Sequence, residues 1–174
     1  MALHIIIDGY NLIRQSNTLS CLDQQDIQMG RETLIDSLAS YKRIKGHRIT
    51  VVFDGTDAEV FSQTRDQIKG IDIRFSRTGE QADAVIKRLA AQFGEKALVV
   101  TSDRDVADFA ALKGATPISS PEFEERLMMA AYLETKGTDD IQEDSGWNPT
   151  TRKKGPQRRL SKKDRRRKVK LRKL

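Results

Sequence analysis

Apolar positions along this chain fall into two rhythms. Short runs of apolar, largely β-branched residues occur at 3–7 (L-H-I-I-I), 48–53 (R-I-T-V-V-F), 71–75 (I-D-I-R-F), 96–101 (K-A-L-V-V-T) and 115–118. Continuous runs of this kind predict strands buried on both faces, as in parallel sheets. The 71–75 run alternates apolar with polar and predicts a strand nearer an edge. Between the runs the spacing becomes helical. Ile27, Leu34, Ile35, Leu38 and Tyr41 predict a helix over about 24–45, and Ala82, Ile86, Leu89, Ala90 and Phe93 predict one ending at 93. A further helix runs to about Lys113, and Phe123, Leu127 and Ala131 mark a last one to about Thr135.

The stops and starts agree with this division. Gly46, Gly94 and Gly114 each follow a predicted helix, where a left-handed residue ends it. Thr78-Gly79-Glu80-Gln81 has the form of a capping box, and Ser120-Pro121 reads as a serine cap with proline at the first helical position. Asp8 is followed by a loop containing Ser16-Asn17-Thr18. The segment 56–69 is polar, with Ala58, Val60 and Phe61 suggesting at most a short helix. Strand and helix alternate five times, which predicts an α/β fold: a parallel sheet with helices on both faces.

The alternation fails at Lys136, so residues 1–135 are read as one domain and 136–174 as a flexible or partly helical, strongly basic C-terminal tail, disordered unless bound, with an isolated Trp147. Charge sharpens the division. Of 31 Lys/Arg and 25 Asp/Glu in 174 residues, the stretch 151–174 holds 14 basic residues against Asp164 alone, a net +13. The other 150 residues hold 17 basic and 24 acidic residues, a net −7. A single cysteine, Cys21, excludes an internal disulfide, and two histidines make a Cys/His zinc site implausible. No apolar run has the length of a membrane span or a signal-peptide core, so a soluble, cytoplasmic protein is expected.

Acids recur where strands end. Asp8, Asp54 and Asp103 follow the first, second and fourth strands, and parallel topology brings such positions to one sheet edge, where open α/β sheets bind ligands. Asp83 lies at the border of an apolar helical stripe, and Asp105 is two residues past Asp103. Crowded carboxylates raise each other's pKa values, and a divalent cation reverses that penalty. An all-oxygen set suits Mg²⁺ or Mn²⁺, which activate water for phosphodiester hydrolysis. Asn11 is placed to orient a ligand water or a phosphate oxygen. Each residue also has a structural role open to it. Asp54-Gly55 is a common turn pair, Ser102 with Asp105 fits a capping box, Asp103 suits a helix start, Asp8 can cap the segment after it, and Asn11 suits loop hydrogen bonding. With Thr78 as cap, Asp83 lies too far along its helix to serve it.

These residues carry a resemblance. Asp8-Gly9-Tyr10-Asn11 resembles the opening motif of NYN domains in the YacP-like branch of the PIN-like nucleases; Gly79-Glu80-Gln81-Ala82-Asp83 and Thr101-Ser102-Asp103-Arg104 are similar to that branch's G-E-x-A-D and T-S-D segments. Phe53-Asp54-Gly55 is also similar. The resemblance spans roughly residues 1–135. It implies a PIN-like three-layer fold with a five-stranded parallel sheet of order 3-2-1-4-5. It also implies metal-dependent endoribonuclease activity and, in the bacterial branch, association with the ribosome. The family's acids carry over to Asp8, Asp83 and Asp103, which would hold one or two Mg²⁺ or Mn²⁺ ions, with Asp54 and Asp105 in support. The tail is not part of the carried pattern.

Arg14, Arg77, Lys87 and Arg104 lie near the acids in sequence and are candidates to hold a substrate backbone. In the tail, Arg158, Arg159, Lys162, Lys163, Arg165, Arg166 and Arg167 form a polyelectrolyte that would bind RNA through counterion release, giving affinity without base stacking. The resulting expectation is a metal-dependent endoribonuclease anchored to RNA or the ribosome, with no membrane partner. Two other readings stay open. One is a non-catalytic RNA- or ribosome-binding module on the same fold. The other is a phosphatase using Asp8 as nucleophile, weakened by Tyr10 where a second Asp would be expected.

Overall fold

Three isoleucines in succession leave a strand no solvent face. In β1 (His4–Asp8) Ile5, Ile6 and Ile7 are fully buried, so β1 must lie inside a sheet covered on both sides. The computed structural model of the chain, which describes residues 3–21, 26–55, 65–77, 79–136 and 161–174, shows that arrangement. β1 is flanked in parallel by β2 (Arg48–Phe53) on one side and β5 (Ala97–Val100) on the other. β2 pairs in parallel with β4 (Ile71–Phe75), and β5 with β6 (Thr116–Ile118).

The sheet has six strands, not five. β3 (Arg65–Ile68) pairs antiparallel with β4 across a tight turn at Lys69 and Gly70, giving the order β3-β4-β2-β1-β5-β6 in a mixed rather than wholly parallel sheet. β3 is R-D-Q-I, with alternating exposed and half-buried positions. A strand that contributes backbone pairing and little apolar surface leaves no hydrophobic signature to read. The short helix considered around Ala58, Val60 and Phe61 lies outside the described residues, as do Trp147, Arg158 and Arg159.

Helices cover both faces. On one, α3 (Ala82–Phe93) and α4 (Arg104–Leu112) pack Val85, Ile86, Leu89, Val106 and Ala110 against Ile6, Val52 and Val99. On the other, α1 (Gly9–Gln15), α2 (Ile27–Lys45) and α5 (Ser120–Lys136) bury Leu12, Leu34, Leu38, Tyr41, Phe123 and Leu127. Two stripe positions differ from expectation. Ile27, at the start of α2, is exposed, and α5 turns Ala130 inward in place of Ala131. Gly46 ends α2 in the left-handed conformation, φ 67°, as its position predicts. Among the described residues no helix is long and apolar enough to cross a membrane.

The described end of the chain takes the partly helical form of the expected tail, and it is docked rather than free. Residues Lys162–Leu171 form a helix, α6, capped by Ser161, and the chain after it docks onto the domain. The Tyr41 hydroxyl donates to the carbonyl of Leu174 (2.9 Å), Arg126 donates to the carbonyl of Leu171 (2.9 Å), and His47 Nε2 lies 3.0 Å from the carbonyl of Lys173. Leu174 is buried in the same core as Tyr41 and Phe123, with Leu171 packed beside it. Arg166 pairs with Glu95. His47 and Glu95 precede β2 and β5, so α6 sits at the amino ends of the parallel strands.

Candidate active site

At the carboxyl ends of those strands, β1 breaks directly into a helix where the sequence predicts a loop. Asp8 caps α1, its Oδ1 accepting from the Asn11 amide (3.1 Å). The glycine after it is required by packing, because a Cβ at Gly9 would lie 2.3 Å from the Phe53 ring. Asp54-Gly55 follows the same logic after β2. A Cβ at Gly55 would lie 2.0 Å from the Ser76 carbonyl, while Gly55 N–H and Asp54 Oδ1 both bond the Ser76 hydroxyl (2.9 and 3.1 Å). After β5, Asp103 caps α4, its Oδ1 accepting from the amides of Asp105 (2.7 Å) and Val106 (3.2 Å). The sequence places that cap at Ser102, but the Ser102 hydroxyl is bonded to Gln15 Oε1 instead (2.9 Å). On the opposite flank α3 begins at Ala82 with Gln81 as its cap residue, not Thr78. Asp83 is therefore in the first turn, where the helix dipole favours an acid. Its position has a structural reason that a longer helix would have denied it.

Asp8, Asp54, Asp83 and Asp103 line one cleft of about 420 Å³, together with Asn11 and Arg14. Tyr10, Gln15 and Gln81 also line it; Tyr10 and Gln81 lie within motifs that do not single them out as site residues, and Gln15 lies outside every motif. Gln15 is legible in principle, since it lies four residues after Asn11 and so on the same face of α1. Asp8 and Asp103 each spend one carboxylate oxygen on a cap. Among the described residues, Oδ2 of each takes no hydrogen bond.

Asp8 is buried, and burial with the nearby charges of Asp83 and Asp103 pushes its carboxyl up to about 6, against the pull of its bond from Asn11. Asp83 is likewise raised, by burial and then by Asp103. This is the electrostatic state of a site that favours positive charge. An all-carboxylate donor set fits a hard divalent cation. Among the described residues no three acids close together as a ready-made cage, so an ion here would keep several waters, the ordinary habit of Mg²⁺.

Asn11 has a definite post. Its Oδ1 accepts from the Ser102 amide (3.0 Å) and the Ser120 hydroxyl (2.7 Å). Two donors fix that atom as the carbonyl oxygen, so the Asn11 side chain ties α1 to the loop carrying Asp103 and to the start of α5. Ser120, thus occupied, does not cap α5; the Ser119 hydroxyl accepts from the Glu122 amide (3.4 Å) instead. Asn11→Ala strands both donors in a half-buried setting. It is expected to lower stability by about 2 kcal/mol, read in urea melts.

The remaining predicted residues lie elsewhere. Asp105 is largely exposed and paired with Lys87 across α3 and α4, outside the cleft lining. Its charge still contributes to raising Asp83. Arg104 is exposed at the start of α4 and does not line the cleft. Arg77 lines a neighbouring pocket. Arg165, Arg166 and Arg167 are exposed on α6, remote from the acids.

Two solved structures share this architecture. One is Rae1 (YacP) from Bacillus subtilis, 26% identical, with a TM-score of 0.65 over 78% of this chain and 79% of that one. The other is a mutant of the same protein, 25% identical, with a TM-score of 0.62 over 75% and 77%. The uncharacterized protein YacP of Bacillus subtilis (strain 168) is 29% identical over 102 residues, 57% of this chain; the match spans 59% of that protein. A family model for the YacP-like NYN domain matches residues 5–173, taking in the docked helix α6 that the sequence motifs leave out. The chain belongs to the family of YacP-like NYN domains.

Proposed function

We propose that this protein is a metal-dependent endoribonuclease acting on ribosome- or mRNA-associated RNA. The observation that carries the reading is the convergence of Asp8, Asp54, Asp83 and Asp103, from four separate segments, on one cleft at the carboxyl edge of the sheet. Asp8, Asp83 and Asp103 would hold one or two Mg²⁺ or Mn²⁺ ions, with Asp54 in support. When bound, such ions supply a water of lowered pKa and polarise a phosphoryl oxygen. The chain's own contribution is positional. Helix caps fix the Asp8 and Asp103 carboxylates, Asn11 holds the Asp103 loop against α1, and Arg14 brings a cation to the cleft wall.

The phosphatase reading loses further ground. The position two residues after Asp8 holds a phenol bonded to the buried Arg31, not an acid able to assist a phosphoryl leaving group. Helix α6 would serve as an RNA anchor, with Arg165, Arg167 and Lys168 exposed. Arg166, committed to Glu95, is less available.

The test incubates the full chain with naked RNA and with translating ribosomes, with Mn²⁺ or with EDTA, and maps the ends. Cuts bearing 5′-phosphate and 3′-hydroxyl, present only with metal, are the expected result. Tight RNA binding without cutting in any arm would instead establish the non-catalytic binding module.

A further inference from the structure

Beside the acidic cleft, across residues 79–82, the surface changes sign. Arg65, Arg74, Arg77 and Arg88 line one pocket of about 200 Å³, floored by Phe75 and Val85. Arg65 and Arg74 stand directly opposite each other in the β3–β4 ladder. Like charges so placed destabilise an antiparallel pair. Among the described residues the one acid lining the pocket is Glu80, and it is bonded to Arg88 at 2.6 Å. Among the same residues Arg65, Arg74 and Arg77 have no ion pair. Arg74 Nε is buried and makes no hydrogen bond within that set. Burial, followed by the charge of Arg65, lowers the Arg74 pKa, the mirror image of the raised carboxyl of Asp8. A guanidinium cluster in which, among the described residues, three of the four members have no ion pair is a site suited to an anion.

Its position says which anion. The cluster lies at the β3–β4 end of the sheet, on the face where α3 covers the neighbouring strands. Arg77 and Glu80 belong to this pocket, while Gln81 and Asp83 belong to the acidic cleft. β4 is two strands from β1, about 10 Å along the carboxyl edge. A nucleic-acid strand covers that distance within a few nucleotides.

We propose that Arg65, Arg74, Arg77 and Arg88 form a phosphate-binding subsite that grips the RNA backbone a few nucleotides from the bond held in the acidic cleft. The location of the cut relative to the grip rests on the nuclease reading; the grip itself does not. It also resolves an electrostatic difficulty, because the acidic cleft alone repels a polyanion and a neighbouring array of guanidiniums offsets that repulsion.

The experiment measures binding of a fluorescein-labelled single-stranded RNA by anisotropy across a salt series. It uses the full chain in EDTA, so that no cutting intervenes. Arg65→Gln/Arg74→Gln is expected to weaken binding about tenfold and to reduce the slope of log K against log salt by about 1.4, two contacts at about 0.7 each. Arg65→Lys/Arg74→Lys should recover most of the slope, because charge is kept, but not all of the affinity, because the planar fork is lost. Melting without RNA should show no loss of stability in the glutamine variant, since repulsion is relieved. If that variant does not fold, Arg65→Gln alone, on the exposed edge, should show half the slope change. An unchanged slope and affinity overturns the proposal, even if inorganic phosphate shifts the wild-type melt. A reduced slope in a protein that never cuts RNA leaves the grip standing and removes the nuclease reading.

Discussion

Asp8→Asn is expected to lower metal-dependent RNA cleavage about 10³-fold or more while making the metal-free protein more stable. Loss of activity with a gain of stability separates a functional residue from a structural one, since a damaged core lowers both. Asparagine keeps the shape and can still accept the Asn11 amide, so the cap on α1 survives. What disappears is a buried negative charge near Asp83 and Asp103. The sign comes from linkage. The folded carboxyl titrates at about 6 and the unfolded one at 3.8, so the folded state holds the proton more tightly. The stability this contributes is complete below pH 3.8 and is lost as pH rises through about 6. Above that, the ionised carboxylate weighs against folding by on the order of 2–3 kcal/mol. In EDTA at about pH 7.5 the variant should therefore melt several degrees higher than the wild type, and the gain should shrink as pH falls toward about 4. Mn²⁺ should raise the wild-type Tm and leave the variant almost unmoved. Wild-type cleavage rates in Asp8→Asn would remove this carboxylate from the chemistry.

The same charges explain what is legible in the sequence. β1, β2 and β5 announce themselves because strands buried on both faces must be apolar without interruption, and parallel pairing then fixes Asp8, Asp54 and Asp103 to one edge. The helix starts are misplaced for a different reason. At Ser102-Asp103 and at Ser119-Ser120, two adjacent residues are both competent caps. The choice is settled by distant partners: Gln15 takes the Ser102 hydroxyl and Asn11 takes that of Ser120. No local rule contains those partners. β3 escapes because an edge strand is held through its backbone, and its Arg65 acquires meaning only opposite Arg74. The arginine pocket is therefore a property of the ladder register, not of any motif.

The docked C-terminal helix shows how composition misleads when few contacts do the anchoring. A stretch dominated by lysine and arginine reads as a polyelectrolyte that orders only when bound, yet Leu171 and Leu174, three residues apart, three backbone carbonyls and the Arg166–Glu95 pair tie it to the domain. Deleting residues 152–174 is thus a poor probe of RNA anchoring, because it also uncovers the core at Tyr41 and Phe123 and strands the Tyr41 hydroxyl. The two contributions separate by substitution. Leu174→Ala removes buried apolar volume and is expected to destabilise the protein by about 2–3 kcal/mol, lowering Tm by roughly 5–10 °C. Arg165→Gln/Arg167→Gln/Lys168→Gln alters only exposed side chains and should leave Tm within about a degree, while weakening RNA binding and flattening its salt dependence by about 2 in log–log slope. If Leu174→Ala melted like the wild type, the helix would be a passenger on the domain rather than part of it. Because α6 lies at the amino ends of the strands and the acids at the carboxyl ends, about 17 Å of strand separates anchor from cleft. RNA held by the helix must then come from a different part of the substrate than the segment lying across the acids, so the triple variant should slow cutting of long structured RNA far more than cutting of short oligonucleotides.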